Sequence, residues 1–236
     1  ALVALARAGE GKTPSKEAIH IAYEGLFTAI TNVSFNNATL GTLIERIDAQ
    51  TNALGGDAEV YPLDAIWQGD EDIRSLKSLI LLGLRGMAAY AYHAWALGYT
   101  DDEVDAFTFE ALRAIGSDKG TDELLPLVLK TGEVNLKCME LLDRANTSTY
   151  GDPVPVEVPL MVEKGPFIVV SGHDLHDLYL LLQQTEGKGV NIYTHGEMLP
   201  CHGYPKLKAF SHLKGNFGTA WQNQQKEFAD IPAPIL

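Results

Sequence analysis

FIVVSGHDLHDLYLLLQQTEGKGVNIYTHGEMLPCHGYP, residues 167–205, is the stretch whose reading decides the fold. It opens on an apolar run, Phe167 to Val170, of a length that suits a buried strand. Ser171-Gly172 is a turn signal, and Leu175, Leu178, Leu181 and Leu182 then repeat at helical spacing. Gly187-Lys188-Gly189 stops that helix, and Val190 to Tyr193 forms a second strand candidate. Strand, helix, strand makes a βαβ unit with a parallel pair and a right-handed crossover. His173 then lies just past the carboxyl end of the first strand and Glu197 just past that of the second. Open α/β sheets hold ligands at those ends. Two metal-capable side chains, distant in sequence, are therefore expected side by side.

Working outward, the segment before this stretch reads as helical. Residues 1–8 end at Gly9 and Gly11, and Ser15 can cap a helix with Glu17 in its first turn. Ile19, Tyr23, Leu26, Phe27 and Ile30 make an apolar face for it. Asn36 can cap a third helix with a stripe of Leu40, Leu43, Ile44 and Ile47. Residues 53–69 read as a loop. Asp70 and Asp72 start a long helix ending near Gly98, whose Gly83, Gly86, Ala88 and Ala89 would admit a close neighbour. Asp101 to Ile115 is another helix, and Thr121 to Asn146 is helical with an interruption at Gly132. A bundle of antiparallel helices is the simplest arrangement.

The composition changes at Thr147-Ser-Thr-Tyr-Gly-Asp-Pro-Val-Pro155, where two prolines suit an extended connector. The expected domains are a helical bundle, 1–150, and the first part of an α/β domain, 151–236. The fold class is thus α plus α/β, the bundle leading into an incomplete, Rossmann-like parallel sheet. Residues 206–213 and 216–228 read as helical or irregular, and a third strand could begin at Ile231 to Leu236.

A net charge of −13 argues against nucleic acid and gives no support to an anionic membrane surface. Two cysteines, Cys138 and Cys201, are too few for a secreted disulfide scaffold, so a reducing cytoplasm is expected. The apolar run from Leu79 to Leu97 carries Arg85 and His93 and fits a buried helix better than a membrane span.

Five of the seven histidines fall between 173 and 212: His173, His176, His195, His202 and His212. With Glu197 and Cys201 they could suggest zinc and a hydrolase, but the spacing matches no helical zinc signature. For His176, His202 and His212 a hydrogen-bonded structural role is the plainer reading. Cys138 reads as a buried core thiol. Trp221 with Gln222, Asn223, Gln224 and Gln225 reads as an aromatic anchor with hydrogen-bonding amides. No GxGxxG or Walker loop occurs.

Several motifs together carry a resemblance. G-H-D-L-x-D-L at 172–178, Q-T-E-G-x-G-V at 184–190, Y-T-H-G-E-M-L-P at 193–200, H-G-Y-P at 202–205 and G-N-F-G-x-A-W-Q-N-Q-Q-K-E-F at 215–228 closely resemble the hybrid cluster proteins. These are also known as prismane proteins or hydroxylamine reductases. Residues 72–91 and 143–151 look like the same family. The resemblance implies a cytoplasmic oxidoreductase that reduces hydroxylamine, or nitric oxide, with electrons from a redox partner. It implies a hybrid iron–sulfur–oxygen cluster with His173 and Glu197 as histidine and glutamate ligands, beside a conventional iron–sulfur cluster. Imidazole and carboxylate are harder donors than thiolate and suit oxygen-bridged irons. The family's cysteine ligands match no position here, and Cys201 is not assigned to the cluster. The segment alone is therefore expected to hold no cluster and to be inactive, and a structural or interaction module is the alternative description.

Overall fold

A computed structural model describes residues 1–30, 34, 36–59, 61–62 and 64–236. The chain forms two compact units, Ala1–Asp143 and Arg144–Leu236.

The first unit is helical: α1 (Leu2–Ala8), α2 (Lys16–Thr28), α3 (Asn37–Ala53), α4 (Asp64–Trp67), α5 (Glu71–Ala96), α6 (Asp102–Ile115) and the start of α7 (Thr121–Tyr150). Local chemistry starts these helices where the sequence predicts. Ser15 Oγ accepts from Ala18 N–H, and the side chains of Asn36, Asp70 and Asp101 each accept two backbone N–H groups of the turn that follows. Each such cap is worth about 0.5–2 kcal/mol, because it satisfies donors the helix cannot. The pairs α2–α5, α1–α6, α5–α6, α1–α3 and α2–α3 pack together. Leu5, Ile21, Ile80, Leu84 and Val104 are fully enclosed in their shared core.

Four expectations for this unit need correction. The buried face of α2 runs through Ala18, Ile21, Ala22, Tyr23 and Leu26, while Ile19 and Phe27 are only half-buried. Ile44 is exposed, so the α3 stripe is Leu43, Ile47 and Thr51. The 53–69 loop contains the single turn α4; Val60 and Leu63 lie outside the described residues. Helix α7 is continuous through Pro126 and Gly132 to Tyr150. Gly132 faces open space, and a helix pays only about 1 kcal/mol for an internal glycine, which the rest of a 30-residue helix absorbs. Gly83 shows why α5 carries small residues, since a Cβ there would lie 2.7 Å from Thr131 Cγ2 of α7.

The second unit holds β1 (Phe167–Ser171), α8 (Leu175–Thr185), β2 (Asn191–His195), a 3-10 segment (Gly196–Gly203), α9 (Pro205–Lys208), β3 (Leu213–Phe217) and α10 (Gln224–Glu227). The three strands pair in parallel in the order β1-β2-β3, with Phe167 opposite Asn191 and Ser171 opposite His195. Asp174 caps α8 through His176 and Asp177 N–H. Leu178 and Leu182 of α8 are fully buried, as are Val169, Ile192 and Tyr193 of the strands.

The sequence reading had two strands where the sheet has three. Leu-Lys-Gly-Asn-Phe lacks an apolar run, and its buried positions are Gly215 and Asn216. Such a strand is held by its neighbours rather than by its own pattern. The C-terminal expectation is closer: Ile235 bridges Val169 in parallel, and Ser171 N–H donates to Leu236 O on the free edge of β1.

Candidate metal-donor site

The ends of β1 and β2 stand side by side because Ser171 pairs with His195. Each strand is followed by a glycine in a positive-φ turn, Gly172 at φ 110° and Gly196 at φ 57°. A side chain at either position would be strained, so glycine is what lets both strands break off sharply. The next residues are His173 and Glu197. Their Nε2 and Oε2 atoms meet in an ion-pair contact, with side chains 68% and 54% exposed. The pair expected from sequence is therefore brought together at the strand ends and open to the outside. Among the described residues no third histidine, cysteine, aspartate or glutamate joins it to make a group able to hold a metal ion.

The remaining candidates fall elsewhere. Burial pushes both thiols up, Cys138 to about 12 and Cys201 to about 12, which keeps them protonated and unreactive. His212 Nε2 lies 2.9 Å from Thr185 Oγ1 at the end of α8, a structural contact. His202 is buried, and its Nε2 lies 2.9 Å from Thr194 Oγ1. Thr194 has one hydroxyl proton, which goes to Asn216 Oδ1 at 3.0 Å, so His202 Nε2–H donates to Thr194. Burial holds the His202 imidazole below its ordinary range, which keeps it neutral in that role.

His195 is enclosed, and its Nε2–H donates to Glu227 Oε2 at 2.7 Å. Thr219 N–H and Oγ1–H also donate to the Glu227 carboxylate, at 3.1 and 2.6 Å. Led by the His195 bond and then those from Thr219, these contacts lower Glu227 to about 2. The sequence reading missed this pair. Trp221, read as an anchor, is instead 66% exposed, and the residues that bind inward are Gln224 and Glu227.

One imidazole and one carboxylate thus meet at the carboxyl ends of adjacent parallel strands of an α/β unit. The chain belongs to the Prismane/CO dehydrogenase family, whose model matches residues 3–236. It is 46% identical, over 99% of its length, to a hydroxylamine reductase of Maridesulfovibrio salexigens, and 45% identical over 99% to one of Thermodesulfovibrio yellowstonii. A hydroxylamine reductase of Moorella thermoacetica is 56% identical over 71% of the chain and 40% of its own length. The chain spans about half the length of the curated relatives it matches, 48% of each of the first two. Among the described residues no helix is long and apolar enough to cross a membrane.

Proposed function

We propose that this chain is a segment of a hybrid-cluster oxidoreductase that reduces hydroxylamine to ammonia. The observation that carries the reading is the meeting of His173 Nε2 and Glu197 Oε2 at two adjacent strand ends. The donor set fits the iron of an iron–sulfur–oxygen cluster: one borderline nitrogen and one hard oxygen, both accessible, with a glycine turn behind each. That cluster, when bound, supplies electrons to the N–O bond and leaves iron positions open to a small ligand. The balance is hydroxylamine plus two electrons and two protons to ammonia and water. Nitric oxide is the alternative substrate, and an electron-donor protein and a conventional iron–sulfur cluster elsewhere in the full-length protein complete the proposal. So does a cytoplasmic setting without nucleic-acid or membrane partners.

In this chain His173 and Glu197 would hold iron, and the β1 and β2 ends fix their spacing. Cys138 and Cys201 are buried and neither joins the pair, so this chain supplies only part of a shell. The isolated segment therefore holds no cluster and has no reductase activity, since a partial donor set forfeits most of the binding free energy. A zinc hydrolase would need about three protein donors, and the described residues assemble two. The test is hydroxylamine reduction by full-length protein loaded anaerobically with iron and sulfide. Ammonia formation coupled to a reduced dye supports the reading; fully loaded protein with no turnover ends it.

A second reading, that the isolated segment serves as an interaction module, has its own observation. Leu125, Leu129, Leu136 and Met139 of α7 are exposed, as are Leu79 and Leu82 of α5. Apolar side chains at such spacing leave the helical unit able to pack against another protein surface.

A further inference from the structure

The stretch from Gly218 to Phe228 supplies no metal donor, yet it is bonded to both strands that do. Gln224 Nε2–H donates to Ser171 Oγ at 2.9 Å, and Ser171 is the last residue of β1, two before His173. Glu227 Oε2 accepts from His195 Nε2–H at 2.7 Å, and His195 is the last residue of β2, two before Glu197. Gln224 and Glu227 are three apart on α10, a spacing that puts both on one helical face.

The Glu227 end is built tightly. Both carboxylate oxygens are occupied by Thr219, and Asn223 Nδ2–H donates in turn to Thr219 Oγ1 at 2.8 Å. A Cβ on Gly218 would lie 2.6 Å from Glu227 Oε2 and 2.9 Å from His195 Cδ2, so backbone passes where no side chain fits. Phe228 closes edge-on against the His195 ring, centroids 4.7 Å apart.

We propose that Gln224 and Glu227 are positioning residues for the two metal donors: Gln224 holds the β1 end that carries His173, and Glu227, through His195, the β2 end that carries Glu197. The proposal rests on the reading of His173 and Glu197 as iron ligands. Neither residue touches iron or substrate. Each restrains the residue just before a glycine turn, and a glycine gives no side-chain resistance to rotation. Loss of either bond frees one donor and leaves the other in place. Groups that orient metal ligands in this indirect way typically change metal affinity or activity about 10–100-fold when removed.

The experiment uses full-length protein loaded with iron, compared as wild type, Gln224→Leu and Glu227→Gln. Glutamine at 227 keeps the shape but turns one acceptor oxygen into a donor amide, so one bond from His195 or Thr219 is lost. The readouts are the imidazole nitrogen coupling by pulsed EPR, the Mössbauer parameters of the iron sites, and turnover. Gln224→Leu is expected to change the nitrogen coupling. Glu227→Gln is expected to leave that coupling intact and to shift the Mössbauer signature of the carboxylate-bound iron. Each is expected to lose roughly 10–100-fold in activity. Wild-type spectra in both variants, or one indiscriminate loss of iron in both, would overturn the proposal. If Glu227→Gln fails to accumulate folded, Thr219→Val removes one exposed hydroxyl bond to the same carboxylate and gives the same readout. A loaded wild type with no nitrogen coupling would instead remove His173 as a ligand, and the proposal with it.

Discussion

The helical unit and the α/β unit both bury threonine hydroxyls and satisfy them in different ways, although in the helical unit Tyr23 and Lys77 do bond across elements, to Asp105 and to Ser117 O. In the helical unit Thr51, Thr108 and Thr131 each donate to a carbonyl four residues earlier in their own helix, at 2.9, 2.9 and 2.7 Å. Such a bond holds nothing but its own turn. In the α/β unit the buried polar groups reach between elements: Thr194 to Asn216 of β3 and His202 of the 3-10 segment, and His195 to Glu227 of α10. Polar bonds of the first kind let a core be apolar and chemically quiet. Those of the second kind fix where strand ends sit, and the strand ends are where the donors stand.

The largest effect expected from this contrast is at the donors. His173→Ala or Glu197→Ala in the full-length protein should lose hybrid-cluster iron and turnover together while both units stay folded. Iron and acid-labile sulfide analysis beside circular dichroism checks it. Full loading and activity in either variant would break the assignment of function to the strand ends.

Next come the cores. Leu84→Ala should cost about 2–5 kcal/mol, because a fully enclosed leucine leaves a cavity the bundle cannot fill. By hydrogen exchange the lost protection should be confined to residues 1–143. A cleft in exchange behaviour near Gly151, or earlier in α7, would also test the proposed division of the folding domains into 1–150 and 151–236.

Much of this was legible before the structure. The strand, helix and strand at 167–195 could be read because apolar runs of strand length flank a leucine repeat of helical period, and Asp174 caps the helix between them. His173 and Glu197 were legible for the same reason: parallel topology places them, and no contact prediction is needed. β3 was not legible, because Gly215 and Asn216 are buried by what surrounds them rather than by their own hydrophobicity. Gln224 does bond as one of the amides read beside Trp221, but its partner Ser171 was hidden, as was the whole role of Glu227. Gln224 and Glu227 are polar, and nothing in a linear sequence says which of several amides and acids turns inward across a gap of 32 residues from Glu227 to His195.

A smaller effect separates the two kinds of buried threonine. Thr194→Val should cost about 1–3 kcal/mol, since it leaves His202 Nε2–H and Asn216 Oδ1 without their partner. Thr51→Val should stay under about 1 kcal/mol, because its hydroxyl and the carbonyl it bonds belong to one helix turn. Thermal unfolding of both variants measures this, and equal costs would erase the distinction.

The smallest effect is in the acid response. Glu227, lowered to about 2 from an ordinary 4.5, contributes stability that is full above 4.5 and lost as pH falls through about 2. Asp105 runs the other way. Burial first of all raises its carboxyl, against a hydrogen bond from Tyr23, so its charged form costs stability above its folded value and that cost is relieved as pH falls. Acidification should therefore weaken the α/β unit through Glu227 and favour the helical unit through Asp105. Melting curves of Glu227→Gln and Asp105→Asn between pH 7 and 3 should each flatten one of these slopes.

The central claim is that His173 donates a nitrogen to iron at the end of β1, and one measurement tests it most directly. Full-length protein is prepared with 15N-histidine, loaded with iron, and examined by pulsed EPR as wild type and as His173→Ala. The account predicts an imidazole coupling that changes from its 14N to its 15N form on labelling and disappears in His173→Ala. The same coupling persisting in His173→Ala would contradict it.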